Sequence, residues 1–237
     1  MISVCMACYN GEKFIQEQVD SIICQLGLDD ELIISDDGSN DRTLDILFSY
    51  EDSRIKILHN RACHGFVGNF ENALSHAKGD YIFLSDQDDI WKKEKVQKVI
   101  EYLKQYDLIV HDAELIDGEG KLLGKTYYSL LHHHTSFIMN FYKSRWLGCC
   151  MAFQRKVLDS CIPFPPKIVG HDYWIGMYGM MHFKYHFMDD VLISYRRHGG
   201  NLSPSGEESN NSLFYKIYTK RLYLLKSLIA RNLLRNK

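Results

Sequence analysis

Apolar runs that end in acidic turns constrain this chain more than any other feature. Ile2–Met6 leads into the polar turn Ala7–Glu12, Glu31–Ser35 leads into Asp36 and Asp37, and Tyr81–Ser85 leads into Asp86, Asp88 and Asp89. Between them, Ile15, Val19, Ile22, Ile23 and Leu26 recur at helical spacing, as do Phe66, Phe70, Ala73, Leu74 and Ala77 ahead of Gly79. Asp36–Thr43 reads as a loop capping a helix that carries Leu44, Leu47 and Phe48, and Ile55–Leu58 adds a strand. Val96, Val99, Ile100 and Leu103 mark a further helix before the strand Leu108–His111. Such alternation predicts an α/β fold with a Rossmann-like, mostly parallel central sheet flanked by helices. Ligands of open α/β sheets bind beyond the carboxyl ends of the strands, so the polar turns are expected to share one crevice.

After Asp112 the rhythm weakens. Asp117–Gly120 is a turn, Trp146–Phe153 reads as a strand, His171–Met181 as a helix and Val191–Tyr195 as a short strand. Gly199–Ser212 is rich in Gly, Ser, Asn and Glu, so 201–212 is expected to be a flexible segment. It separates a domain over 1–200, with a nucleotide-binding half (1–90) and an acceptor half (91–200), from the basic segment 213–237.

With 237 residues, 46% of them hydrophobic, the chain can bury an ordinary core. Its formal net charge of −2 argues against nucleic-acid binding through a globally basic surface. No apolar run suggests a membrane-crossing helix, and MISVCMACYN lacks the basic start of a signal peptide, so a cytoplasmic location is expected. The seven cysteines include the adjacent pair Cys149 and Cys150 and form no disulfide framework. Cys5 and Cys8 read as small buried thiols, because no second CxxC completes a zinc site.

Clustered carboxylates without basic partners repel one another unless a cation lies between them. Capping of a following helix accounts for one acid of Asp86–Asp89 and leaves the others unexplained. A magnesium or manganese ion, which takes one or two carboxylates and fills its sphere with water and phosphate oxygens, accounts for the cluster better. There is no GxxxxGK[ST] and no GxGxxG after the first strand, so phosphates are expected to be held through the metal.

ACYNGEKFIQEQVDSI, LIISDDGSNDRT, GDYIFLSDQDDIWKKEK, GHDYW and YRRHGGN resemble, in order and at matching spacing from Ile2 to about Asn201, family 2 glycosyltransferases of the GT-A fold. The nearest likeness is to rhamnosyltransferase-like members of bacterial polysaccharide biosynthesis. The resemblance implies that Ala7 and Tyr9 line a base pocket and that Asp37 accepts the imide N–H of uracil or thymine. It places Asp86 near the ribose or the metal's water shell, makes Asp88 a metal ligand, and lets His198 approach the metal or diphosphate, unless His198 is a surface loop histidine. Asp172 is implied to be the catalytic base, alternatively the N-cap of its helix. The implied reaction is inverting transfer from a nucleotide-sugar, dTDP-rhamnose first and a UDP-hexose second, to a glycan or lipid-linked acceptor. Lys92 and Lys93 stand where many members carry a small residue or proline. A sugar nucleotidyltransferase and a non-catalytic glycan or lipid-carrier binding subunit are the rival readings. The first lacks its Gly-rich loop here, and the second does not need both Asp88 and Asp172.

His132–His134 reads as a polar loop over the acceptor groove, and Tyr127, Tyr128, Trp146 and Trp174 as core aromatics with a capacity to stack on sugars. The segment 213–237 holds seven Lys/Arg and no acid, and leaves the remainder with 21 Lys+Arg against 30 Asp+Glu. Phe214, Tyr218, Leu222, Leu225, Ile229 and Leu233 form one apolar stripe at helical spacing. Two readings follow: a peripheral contact with an anionic membrane face, or a helix with its stripe in the core.

Overall fold

The computed structural model describes residues 1–61, 63–131, 136–198 and 221–235. The His132–His134 run, the 201–212 segment, Phe214 and Tyr218 lie outside them. Nine strands form one sheet: β1 (Ile2–Cys8), β2 (Glu31–Asp36), β3 (Ile55–His59), β4 (Tyr81–Ser85), β5 (Ile90–Trp91), β6 (Leu108–Ile116), β7 (Leu122–Thr126), β8 (Met151–Gln154) and β9 (Tyr185–Arg196). The order is β3-β2-β1-β4-β8-β6-β9-β5, with β7 on β6. β1 to β4, β6 and β9 share one direction, and β5, β7 and β8 oppose it. The sheet is thus mostly parallel. Its register sets Cys8 opposite Asp36 and Met6 opposite Ser85, which brings the three acidic or polar turns to one edge.

Helices cover the sheet: α1 (Ile15–Ile23), α2 (Thr43–Phe48), α3 (Phe66–His76), α4 (Lys95–Leu103), α5 (Tyr127–Leu131), α6 (Phe137–Tyr142), α7 (Arg155–Cys161), α8 (His171–His182) and α9 (Leu222–Arg235). Ile15, Val19 and Ile22 on α1, and Val96, Val99 and Leu103 on α4, are buried as their spacing predicts. Every residue of β2 is buried, as expected for a central strand covered on both faces. Cys5 and Cys8 are buried thiols pushed to high pKa, first by burial. Tyr127, Tyr128, Trp146 and Trp174 are all core residues.

Several elements differ from the sequence reading, among them β6, which runs beyond His111 to Ile116. Trp146–Phe153 is not one strand: Gly148–Cys150 is a 3-10 turn, and only Met151–Gln154 joins the sheet. An apolar run this short is buried in either conformation, so its pattern does not distinguish them. β9 begins at Tyr185 rather than Val191, because His111 pairs with Met188 while Asp112 pairs with Val191. The irregularity sets the polar pair Asp189 and Asp190 inside an otherwise apolar strand and breaks the hydrophobic pattern.

α9 answers the question of the basic segment in an unexpected way. Leu224 and Leu228 are its core contacts, at 4% and 0% exposure. Leu222, Leu225, Ile229 and Leu233 are instead 39% to 63% exposed. At 3.6 residues per turn these four fall within about 80° of one another, on a face centred about 120° around the helix from Leu224 and Leu228. The expected stripe is therefore not the packed face. Arg221 donates to the Phe141 and Tyr142 carbonyls, and Arg231 to those of Ile162 and Pro163, which fastens the helix across α6 and the α7–α8 connection.

Candidate active site

The two acids of the DDGSND turn have different tasks. Asp36 is 1% exposed and accepts the backbone N–H groups of Gly38 and Ser39 at 3.0 Å each, so it shapes the turn. Asp37 points the other way. Its carboxylate accepts from Asn60 Nδ2 at 2.8 Å and from the Gly65 N–H at 2.8 Å, with His64 Nδ1 at 3.0 Å. An ionised carboxylate offers about four acceptor positions, so this cage orients Asp37 and leaves room for one further donor. Tyr9 is half exposed beside it, and Ala7 is partly buried. The Tyr9 backbone is clasped by Gln87, whose Oε1 accepts from its N–H at 2.8 Å and whose Nε2 donates to its carbonyl at 3.0 Å. Asn60, His64 and Gln87 were missed in the sequence reading. Gln87 lies inside the quoted SDQDD motif, and Asn60 directly follows β3, the two signals that were available.

The SDQDD acids also separate. Asp88 meets His198, with Nε2 2.8 Å from Oδ2, across 110 residues of chain. Both side chains retain some exposure, 14% and 23%. The structure thus unites the two residues expected at the metal, and His198 is no isolated surface histidine. Asp89 turns into the protein: its Oδ1 accepts from the Arg196 N–H at 3.0 Å, and its Oδ2 has no partner. Carboxylate oxygens of Asp86 and Asp89 and the Cys149 sulfur lie within 4.8 Å of one another. Burial, then the charges of Asp88 and Asp172, push the Asp86 carboxyl up; burial does the same to Asp89. Arg196, also missed, ties this loop down by donating from Nε to the Asp88 carbonyl at 2.9 Å and from Nη2 to Glu17 at 2.6 Å. Lys95 lies below, 1% exposed, donating to the Cys149 carbonyl at 2.8 Å and stacked over Trp91.

These donors fit a divalent cation. Carboxylate oxygen suits magnesium or manganese and imidazole nitrogen suits the latter, while the like charges of Asp86 and Asp88 mark an edge short of positive charge. Asp88 and His198 together offer a carboxylate oxygen and a ring nitrogen 2.8 Å apart. Asp89 is committed to the protein interior, so one cation does not take up the whole acidic cluster.

Asp172 stands in the first turn of α8, within electrostatic reach of Asp86. The N-cap position is Gly170, so Asp172 does not cap the helix. Its Oδ1 accepts from the Tyr173 N–H at 2.7 Å. Burial pushes its pKa up to about 6, offset in part by backbone N–H groups. A carboxylate so placed is largely ionised at neutral pH yet able to take up a proton, as a general base requires. Beside it, His171 is 5% exposed, stacks on Phe70 at 3.8 Å and has no partner on either ring nitrogen; burial lowers its pKa to about 3, so the ring is neutral. Gly148 makes room for both: a Cβ there would stand 2.9 Å from His171 Nε2 and 3.6 Å from Asp172 Cβ. Lys92 pairs with Glu114.

Among known proteins, the UDP-Glc:alpha-D-GlcNAc-diphosphoundecaprenol beta-1,3-glucosyltransferase WfgD of Escherichia coli is 35% identical over 186 residues, covering 75% of this chain and 68% of that protein. The dTDP-rhamnosyl transferase RfbG of Shigella flexneri is 28% identical over 241 residues, 94% of this chain and 79% of that one. The crystal structure of S. aureus TarS 1-349 in complex with UDP-GlcNAc superposes with a TM-score of 0.71 at 18% identity, covering 97% of this chain and 66% of that one, and so shares the fold. The chain spans about half the length of some curated relatives, 54% and 48% in two cases. The model of the family described as Glycosyl transferase family 2 matches residues 3–162, and with the GT-A-type sheet and its carboxylate edge this chain belongs to that family.

Proposed function

We propose that this chain transfers a sugar from a nucleotide-diphosphate sugar to a hydroxyl of a lipid-linked or glycan acceptor in cell-surface polysaccharide synthesis, with inversion at the anomeric carbon. The observation that carries the reading is the meeting of Asp88 with His198 on the edge where Asp86 feels the charge of Asp172. Asp37, in its Asn60 and Gly65 cage, receives the imide N–H of uracil or thymine, while Tyr9 and Ala7 border the base and Asp86 faces the ribose side. Asp88 and His198 would hold a Mn2+ or Mg2+ ion, which when bound would supply Lewis-acid stabilisation of the leaving diphosphate. Asp172 takes the proton of the acceptor hydroxyl as that oxygen attacks the anomeric carbon.

The likeness to RfbG over nearly the whole chain supports dTDP-rhamnose as first donor, and the likeness to WfgD supports a UDP-hexose as second and a diphospholipid-linked acceptor. The test is thermal shift with a panel of nucleotide-sugars, with and without Mn2+. A manganese-dependent stabilisation by dTDP-rhamnose beyond that by UDP-hexoses is expected. Stabilisation by none of them refutes the donor reading.

A peripheral contact with the cytoplasmic membrane face belongs to the same reading. The uncovered stripe Leu222, Leu225, Ile229 and Leu233 lies beside exposed Lys226, and α6 adds exposed Ile138, Met139 and Tyr142. Apolar side chains flanked by a cation suit an anionic bilayer surface. No helix among the described residues is long and apolar enough to cross a membrane.

A further inference from the structure

A buried guanidinium without a carboxylate partner among the described residues lies three residues before Gly148, which packs against the proposed base. Arg145 follows α6 and is 6% exposed, and its Nε and Nη1 have no hydrogen-bond partner. No carboxylate pairs with it among the described residues. Its place is well fixed. Its own backbone N–H donates to Asn140 Oδ1 of α6 at 3.2 Å. The next residue, Trp146, lies against α8: a Cβ on Gly176, one turn beyond Asp172, would stand 2.1 Å from Trp146 Cδ2. Gly148, which touches His171 and Asp172, is three residues on, a stretch of chain that reaches at most about 11 Å. Tyr127 lies within electrostatic reach of both Asp172 and Arg145.

An uncompensated buried charge is strongly unfavourable, and a fixed guanidinium fork matches the oxygens of a phosphate in two parallel hydrogen bonds. The donor diphosphate is served from the Asp88 and His198 side. Arg145 belongs to the α6–α8 side, and α6 displays Ile138, Met139 and Tyr142 outward. An unpaired cation three residues beyond an exposed apolar helix face matches an amphiphile that carries an anionic head on a hydrocarbon chain.

We propose that Arg145 is an acceptor subsite that binds the phosphate oxygens of a long-chain isoprenoid diphosphate ester and so delivers its sugar hydroxyl to Asp172. This rests on the transferase reading above and adds the residue that selects a diphosphate-linked acceptor. It predicts that the diphosphate, and not the hydrocarbon alone, sets acceptor affinity.

The experiment is calorimetric titration of the full chain, wild type, Arg145→Gln and Arg145→Lys, with farnesyl diphosphate, farnesol, and UDP or dTDP plus Mn2+. Wild type is expected to bind farnesyl diphosphate at least about tenfold more tightly than farnesol. Arg145→Gln should erase that difference, Arg145→Lys should restore part of it, and both should bind UDP and dTDP as wild type does. Wild-type affinity of Arg145→Gln for farnesyl diphosphate overturns the proposal. Loss of UDP and farnesyl diphosphate binding by the same factor also overturns it, since Arg145 then serves the donor or the fold. Should Arg145→Gln not fold, competition by metal-free inorganic pyrophosphate against farnesyl diphosphate on wild type decides: displacement supports the subsite and its absence refutes it. If neither UDP nor dTDP binds wild type with Mn2+, the donor reading fails independently of Arg145.

Discussion

Asp172→Asn sets stability against turnover in opposite directions. The carboxyl is raised from its ordinary 3.8 to about 6, chiefly by burial. The folded protein therefore holds that proton more tightly than the unfolded chain. Its contribution is most favourable below pH 3.8 and is lost as the pH rises through about 6. Above that range the ionised side chain costs up to about 3 kcal/mol, at about 1.4 kcal/mol per pKa unit. An amide of the same shape carries no charge to desolvate. In EDTA at about pH 7.5, Asp172→Asn should melt higher than wild type, by about 6–12 °C at most for a chain of this size. At about pH 5, where wild type is mostly protonated, roughly half of that difference should remain. Turnover should fall at least about a hundredfold, and wild-type turnover should decline below pH 6 to about a tenth of its plateau at pH 5. Differential scanning calorimetry at the two pH values and initial rates across the range test all of this. An unchanged or lowered melting temperature at pH 7.5, or wild-type activity flat down to pH 4, refutes the assignment of a desolvated base.

Asp88→Ala should abolish transfer and weaken manganese-dependent donor binding, measured by titration calorimetry; full activity in excess EDTA would sink the metal assignment. Asp37→Ala should weaken UDP and dTDP alike by about 1.5–3 kcal/mol, the range for a hydrogen bond to a charged group, with a smaller loss for Asn60→Ala. Unequal losses for the two nucleotides would contradict recognition through their shared imide edge. Leu228→Ala should destabilise the fold by about 2–5 kcal/mol, since it empties a core position. The double substitution Leu225→Glu and Ile229→Glu should leave the melting temperature nearly unchanged but reduce co-sedimentation with anionic vesicles; undiminished co-sedimentation removes the stripe from any membrane contact.

Local chemistry alone determined a good part of this protein. The strands β1, β2 and β4 and the helices α1, α3 and α4 announce themselves because each buries one periodic set of apolar residues, and that periodicity is written in the chain. Parallel strands then carry Asp37, Asp86 and Asp88 to one edge without further information. The direction of each acid was not legible. Asp36 and Asp37 are neighbours of identical chemistry, yet one is consumed by its own turn and the other by Asn60 and Gly65. Asp89 likewise faces Arg196 while Asp88 faces His198. Only tertiary packing decides such choices, because partners 23 to 110 residues away supply the hydrogen bonds. The same holds for α9, where an amphipathic pattern marked a stripe but the docked face was chosen by Arg221 and Arg231 reaching carbonyls of α6 and the α7–α8 connection. A helix with leucines on two sides has two equivalent faces in sequence, and what it packs against makes one of them core and leaves the other as surface.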